Sequence, residues 1–157
     1  MPFKFPKTTR STLLVALALA APIASFADLP GKHPGYLHSL SDLRAARWFL
    51  EHQAGDAKVY GAEDVAITEI DAAIGEIKRA AIDDGKDLKD HPNVDVKEHG
   101  SRLLKSIETL KKARADISGE EDNPETRELR HRAFEHLDKA IHAAEKAHQE
   151  WLKEVKK

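Results

Sequence analysis

No cysteine occurs among the 157 residues, and the single methionine is Met1. The lack of thiols excludes disulfides, iron–sulfur clusters, thiolate metal sites and c-type haem attachment. Aromatic residues are also scarce, at 6% of the chain, and this scarcity beside many alanines and leucines is typical of packed helices. The motifs of zinc proteases, serine nucleophile elbows, phosphate-binding loops and dinucleotide-binding folds are absent from the sequence as well. We therefore expect a helical protein that is not an enzyme of a recognisable kind.

Residues 1–27 have the composition of a secretory signal peptide. Three basic residues precede an apolar run from Leu13 to Ala21, and small residues lead to a cleavage position after Ala27. The apolar run is too short to cross a bilayer as a permanent helix. We predict that this segment is cleaved, that residues 28–157 form a single-domain mature protein, and that the protein is periplasmic or secreted.

The predicted mature chain is moderately acidic. Cleavage removes three of the 25 basic residues and none of the 27 acidic ones, which leaves a net charge of −5 with neutral histidines. Nucleic-acid binding depends on basic patches that release counterions. Neither a nucleic-acid partner nor stable membrane insertion after cleavage is therefore expected, while an unidentified protein partner stays open.

A repeat with an offset of 67 residues organises the mature chain. Residues 39–50 align with residues 106–117, and residues 70–80 align with residues 137–147. One offset that aligns two separate segments indicates a duplicated helical hairpin. The two predicted hairpins span about 34–84 and 94–155.

Apolar spacings of three and four residues divide each hairpin into two helices. The predicted helices run from about 34 to 54, 62 to 83, 94 to 117 and 124 to 155, with glycine and proline near their ends. Short connections between long amphipathic helices favour antiparallel neighbours. The predicted fold is therefore all-α, an up-down-up-down antiparallel four-helix bundle built from two repeated αα-hairpins.

Two arginines, Arg47 and Arg114, fall on the apolar faces of the predicted helices at equivalent positions of the repeat. A buried guanidinium requires a counter-ion, because leaving it unpaired is strongly destabilising. Asp71 and Asp138 also occupy equivalent positions and are the nearest candidates. We predict that the two arginines form buried ion pairs with these aspartates and so set the register of the helices; the sequence leaves open which aspartate each arginine meets. An anion-binding site is the alternative.

The predicted order of the helices brings several histidines to one end of the bundle. His33, His99 and His148 lie there, with Asp83 and Asp84 nearby. Imidazole and carboxylate ligands suit Zn(II), Ni(II) or Cu(II), and a chain without thiols offers few other ligands. These five residues form a candidate metal site. The alternative is that the histidines are ordinary interior or boundary residues and that the aspartates cap a turn.

The mature chain contains the segments HPGYLHSLSDLRAAR, IDDGKDLKDHP and EEDNPETRELRHRAFEHLDKAI. Together they resemble a family of exported bacterial helical proteins to which no activity is attached, so the resemblance implies no site residue. The alanine-rich last helix, with its scattered histidines, is also similar to small histidine-rich metal-binding proteins of the periplasm. Those proteins repeat histidine along every helix, and this chain does not.

These features predict an exported, non-enzymatic bundle with a binding or interaction role. The alternative function is binding or buffering of a divalent transition metal in the periplasm through the histidine and aspartate cluster.

Overall fold

In a computed structural model of the chain, the described residues are 34–56, 58, 60–79, 85–93, 96–120 and 127–157. These residues form four α-helices and no strand. The helices are α1 (Pro34–Leu50), α2 (Gly61–Arg79), α3 (His99–Ser118) and α4 (Arg127–Val155). The predicted all-α four-helix bundle is confirmed. The predicted signal peptide at residues 1–27 lies outside the described residues.

Two helix ends differ from the predicted positions. α1 stops at Leu50 rather than near residue 54, and the chain then turns through Gly55, whose φ of 101° favours glycine. α3 begins at His99 rather than near residue 94. Its start is capped by Glu98, whose side chain accepts a hydrogen bond from the Ser101 amide at 3.1 Å.

The apolar faces of the four helices meet in one core. α2 and α4 pack most extensively, and both carry fully buried alanines at positions related by the repeat, such as Ala66 and Ala133. Small side chains allow two helix backbones to approach closely. The large aliphatic side chains that are fully buried are Leu40, Leu43, Leu50, Ile70, Ile74, Ile77, Leu103, Leu110, Ile117 and Leu137. Their removal from water is the main driving force for folding.

The direction of α3 differs from the prediction. His99 at the start of α3 lies beside Glu63 at the start of α2, with Nε2 and Oε1 3.0 Å apart. At the other end of the bundle, Gly35 of α1 packs against the carbonyl oxygen of Asp116 near the end of α3. α3 is therefore antiparallel to α1 and parallel to α2, and α4 then returns antiparallel to both α2 and α3. The predicted up-down-up-down order is wrong, because the helices run up-down-down-up.

The connection between α2 and α3 explains this difference. It contains 19 residues, which span about 60 Å when extended, whereas the 20 residues of α3 form a helix about 30 Å long. Such a connection reaches either end of the bundle. Its described residues 85–93 follow α1, where Arg44 donates to the Lys86 carbonyl at 3.3 Å and His91 stacks on Trp48 with ring centroids 3.7 Å apart.

The repeat gives the bundle a pseudo-two-fold axis perpendicular to the helices, which exchanges α1 with α3 and α2 with α4. Arg102 donates from Nε to the Phe49 carbonyl at 3.4 Å. Gly35 is the repeat equivalent of Arg102, and Asp116 is the equivalent of Phe49. Gly35 contacts the Asp116 carbonyl, so the same contact occurs twice. The hairpins pack mainly on each other, α1 on α3 and α2 on α4, rather than within themselves. Each hairpin therefore depends on the other for its core.

Candidate functional site

Four ionisable side chains gather at the end of the bundle where α2 and α3 begin. We call them the polar cluster: Asp56, Glu63, His99 and Arg102. The side chains of Glu63 and Arg102 are 3% and 2% exposed, and those of Asp56 and His99 are 8% and 14% exposed. The polar cluster is thus almost completely removed from water.

Local structure places each member of the polar cluster. Asp56 lies in the turn after α1, and Glu63 lies in the first turn of α2, where its Oε1 accepts the Tyr60 amide at 3.3 Å. A carboxylate is favourable at a helix start because unpaired backbone N–H groups point towards it. His99 and Arg102 are one turn apart at the start of α3, so their side chains leave the helix on the same side.

The His99 imidazole lies between the two carboxyl groups. Its Nε2 is 3.0 Å from Glu63 Oε1, and its Nδ1 is 3.8 Å from Asp56 Oδ1. Arg102 forms an ion pair with Asp56 Oδ2 and also donates to the Phe49 carbonyl. The four side chains carry a net charge of −1 when the imidazole is neutral, and they are neutral together when it is protonated.

The two carboxyl groups of the polar cluster have pKa values shifted in opposite directions. Desolvation raises the pKa of Glu63 above its ordinary value, in spite of the neighbouring His99. Burial also acts to raise the pKa of Asp56, but hydrogen bonds from the Gln53 amide and from Arg102 outweigh it, so that pKa is lowered. Asp56 is therefore the carboxyl group that stays ionised, and Glu63 is the one that accepts a proton more readily.

Tyr60 connects the polar cluster to α4. Its ring lies edge-on to His99, with centroids 5.8 Å apart, and its hydroxyl donates to Glu154 at 2.8 Å. Burial, helped by the Glu154 carboxylate, raises the pKa of Tyr60 to about 12. Lys58 also pairs with Glu154. The same end of the bundle thus joins the starts of α2 and α3 to the end of α4.

Each of the two arginines pairs with the aspartate of its own hairpin, a choice that the sequence left open. Arg47 Nε donates to Asp71 Oδ1 at 2.8 Å, and Arg114 Nε donates to Asp138 Oδ1 at 2.5 Å. Their predicted burial is wrong for the second pair, whose side chains are 43% and 55% exposed, and incomplete for the first pair. The long arginine side chain keeps its stem on the apolar face while its guanidinium reaches water.

Three of the five residues of the predicted metal site lie outside the described residues: His33, Asp83 and Asp84. Of the other two, His99 lies in the polar cluster, and His148 stacks on Trp151 with ring centroids 5.8 Å apart. Within the described ranges, no group of three or more histidine, aspartate or glutamate side chains is placed to hold a metal ion.

The order of the helices explains why this grouping fails. The predicted site required the starts of α1 and α3 to share one end of the bundle. The start of α1 instead lies beside Asp116 and Glu120, where α3 ends, and the start of α3 lies at the opposite end. The topological premise of the predicted metal site is therefore wrong.

The sequence analysis missed Asp56, Glu63 and Arg102. Asp56 resembles a turn residue in the sequence, and Glu63 resembles any acidic residue at a helix start. Arg102 could have been recognised from its spacing. It lies three residues after His99 and four before Ser106, on the buried face of α3. An arginine at such a position requires a partner from outside its own helix.

An open groove runs between α3 and α4 near the same end of the bundle, with a volume of about 480 Å³. Its lining residues are Leu104, Ile107, Lys111, His142, Glu145, Lys146, His148 and Gln149. Leu104 is 48% exposed, although it is a large apolar side chain. We call this surface the α3/α4 groove.

A second groove of about 540 Å³ lies on the other side of α4, against α2. Val65, which is 52% exposed, lies in it. Its charged residues are of both signs: Glu69, Lys139, Lys146 and Glu150. This mixed border favours neither an acidic nor a basic ligand.

Comparisons with protein-family models, with curated proteins and with solved structures found no match. The family resemblance noted in the sequence therefore stays a prediction. Among the residues that the structure describes, no helix combines the length and the apolar character needed to span a membrane.

Proposed function

We propose that the protein is an exported, non-enzymatic helical bundle that binds a partner through the α3/α4 groove, and that the partner is an acidic amphipathic helix. The observation that carries the proposal is the composition of this groove, an exposed leucine on its floor with lysines along its border. The secretory signal predicted for residues 1–27 supports an exported location.

The apolar floor of the α3/α4 groove supplies the attraction. Leu104 and Ile107 lie on adjacent turns of α3, and Leu104 is the more exposed of the two. Covering a large aliphatic side chain contributes roughly 1–2 kcal/mol. A partner helix with leucines every three or four residues presents a continuous apolar stripe to such a floor.

The border of the α3/α4 groove supplies the selectivity for acidic partners. It contains Lys111, Lys146 and two histidines, against a single carboxylate, Glu145. Lys111 pairs with Glu145 at 2.7 Å, and Lys146 lies 4.0 Å from Glu150. Both lysine side chains are more than half exposed, so a carboxylate of a partner can reach them. A positive border on a chain that is acidic overall favours association with negatively charged helices.

The polar cluster supports a non-enzymatic role. A catalytic acid or base must reach the reacting atom within hydrogen-bond distance. His99 and Glu63 are directed at each other, and neither of the grooves beside α4 is lined by a member of the polar cluster. These side chains are therefore placed to hold helices together rather than to contact a ligand in either groove.

Fluorescence anisotropy with labelled synthetic peptides tests the proposal. The probes are an acidic amphipathic helix with a leucine stripe, a scrambled peptide of the same composition, and a basic counterpart with lysine in place of glutamate. We expect saturable binding of the acidic amphipathic peptide, at least about tenfold tighter than that of the other two, a difference of about 1.4 kcal/mol.

Two variants with the same change in net charge locate the binding surface. Lys111→Glu reverses a charge that borders the α3/α4 groove but not the second groove, and it should weaken binding. Lys153→Glu reverses a charge on α4 outside both grooves and should not. Equal binding of the scrambled peptide, or equal weakening by both variants, would refute the proposed surface. Absence of binding to any peptide would refute the proposed partner.

A further inference from the structure

The polar cluster has one negative charge in excess when the His99 imidazole is neutral. Arg102 balances Asp56, with which it pairs directly. Glu63 then faces His99 Nε2 at 3.0 Å, and with 3% of its side chain exposed it has almost no contact with water. An ionised carboxylate that is removed from water and has no opposite charge beside it is unfavourable. One proton, on either His99 or Glu63, makes the cluster neutral.

We propose that the polar cluster is a proton-binding site that clamps this end of the bundle, and that the clamp tightens as the pH falls from mildly alkaline to mildly acidic values. The proton is held between Glu63 of α2 and His99 of α3. When it resides on His99, the second ring N–H also faces Asp56, whose Oδ1 is 3.8 Å away. Proton uptake therefore strengthens contacts among α2, α3 and the connection after α1. This inference does not depend on the proposed helix-binding groove.

The pKa shifts of the two carboxyl groups agree with this direction. Burial raises the pKa of Glu63 above its ordinary 4.5. A raised pKa in the folded state means that the group contributes stability at low pH and loses that contribution as the pH rises through the raised value. The clamp is therefore expected to weaken towards alkaline pH.

Asp56 sets the lower limit of the clamp. Burial alone would raise the pKa of Asp56, but the Gln53 amide and Arg102 hold it below its ordinary 3.8. A lowered pKa means that the stability is present above the ordinary value and is lost as the pH falls through the lowered one. At pH values above the lowered pKa of Asp56, acidification therefore stabilises the polar cluster.

Charged or titratable groups of the neighbouring elements surround the polar cluster. They include His52, Lys58 and Tyr60 of the connection after α1, Glu98 before α3, and Glu150 and Glu154 of α4. His52 Nδ1 is 3.9 Å from Asp56, but the His52 side chain is 55% exposed, so water screens its charge. The three carboxylates add negative potential and favour proton uptake.

Hydrogen exchange of the whole mature chain, followed by mass spectrometry, tests the clamp. Amide protection in residues 60–66 and 97–103 is compared at about pH 5.5 and about pH 8, both above the ordinary pKa of a glutamate, after correction for intrinsic exchange rates. We expect protection there to be about tenfold higher at the lower pH, a free-energy difference of about 1.4 kcal/mol. Residues 107–113 in the middle of α3 serve as the internal reference.

Three variants assign the effect to the polar cluster. Glu63→Gln keeps the shape and the hydrogen-bonding oxygen but cannot ionise, so it should abolish the pH dependence. His99→Gln removes the imidazole that lowers the pKa of Glu63, so it should keep the dependence and move it to higher pH. His131→Gln is the matched control, because His131 pairs with Glu135 at 3.3 Å on the exposed surface of α4, and it should leave the dependence unchanged.

Two results would overturn the proposal. One is wild-type protection that is flat, or that falls, between about pH 8 and about pH 5.5. The other is a Glu63→Gln protein that keeps the wild-type pH dependence. If His99→Gln does not fold, the Glu63→Gln variant alone tests the proposal, because glutamine is nearly isosteric with glutamate.

Discussion

Glu69 and His136 occupy equivalent positions of the two hairpins, and their side chains meet between α2 and α4, with Glu69 Oε2 2.6 Å from His136 Nδ1. Residues related by the repeat face each other only where the pseudo-two-fold axis passes. Identical residues would be brought together at this position, and two glutamates would repel each other. The two copies instead carry an acid and an imidazole, which attract.

Exchanging the two residues tests this relationship. His136→Glu places two carboxylates on the axis and Glu69→His places two imidazoles there, so each single variant should be less stable than the wild type. The double variant restores an acid–imidazole pair, with the imidazole on α2 and the acid on α4. We expect a coupling free energy of about 0.5–1 kcal/mol, because both side chains are partly exposed. Urea denaturation at neutral pH measures it, and strictly additive effects would contradict the axial contact.

Gly100 is required by the Trp151 side chain, because a Cβ atom at residue 100 would overlap the indole ring. Gly100→Ala should destabilise the bundle by about 1–3 kcal/mol, the usual cost of overpacking. Gly75 lies inside α2 with open space around it, so Gly75→Ala should stabilise by about 0.5–1 kcal/mol through helix propensity. Thermal unfolding followed by circular dichroism measures the stability of both variants. If both substitutions stabilise the bundle, or both destabilise it, the described packing around Gly100 and Gly75 is contradicted.

Arg102 and Arg114 provide a comparison of buried and exposed ion pairs. Arg102→Met leaves the Asp56 charge buried without its partner and should lower the free energy of unfolding by about 3–5 kcal/mol. Arg114→Met breaks the exposed pair with Asp138 and should lower it by less than about 1 kcal/mol. Chemical denaturation gives both values. Adding Asp56→Asn to Arg102→Met removes the unpaired charge and should recover part of the lost stability. A further loss of stability would contradict the pairing of Asp56 with Arg102.

The connection between α2 and α3 should tolerate a break, because residues 85–93 are exposed and the hairpins hold each other. We expect co-expressed fragments 28–88 and 89–157 to form a stable one-to-one complex with the helical content of the intact chain. The break removes mainly the high effective concentration that the connection provides. Size-exclusion chromatography with light scattering measures the complex, and fragments that separate, or that fold alone, would contradict the interdependence of the hairpins.

Helix number, the repeat and the two aspartates as candidate partners of the two arginines were accessible from the sequence. Helical spacing of apolar residues is a local property, since it depends only on 3.6 residues per turn. The sequence left open which aspartate each arginine meets, because the two aspartates occupy equivalent positions of the repeat. The exposure of Arg114 and Asp138 was not accessible, because it depends on how each helix is oriented about its own axis relative to the core.

The amino-acid sequence by itself therefore determined an all-α bundle of two duplicated hairpins. Only the tertiary structure decided how the second hairpin lies on the first, because the 19-residue connection reaches either end of the bundle. That choice moved the start of α3 to the start of α2. It brought His99 beside Glu63, and in doing so it replaced the predicted metal site with a buried acid–imidazole cluster.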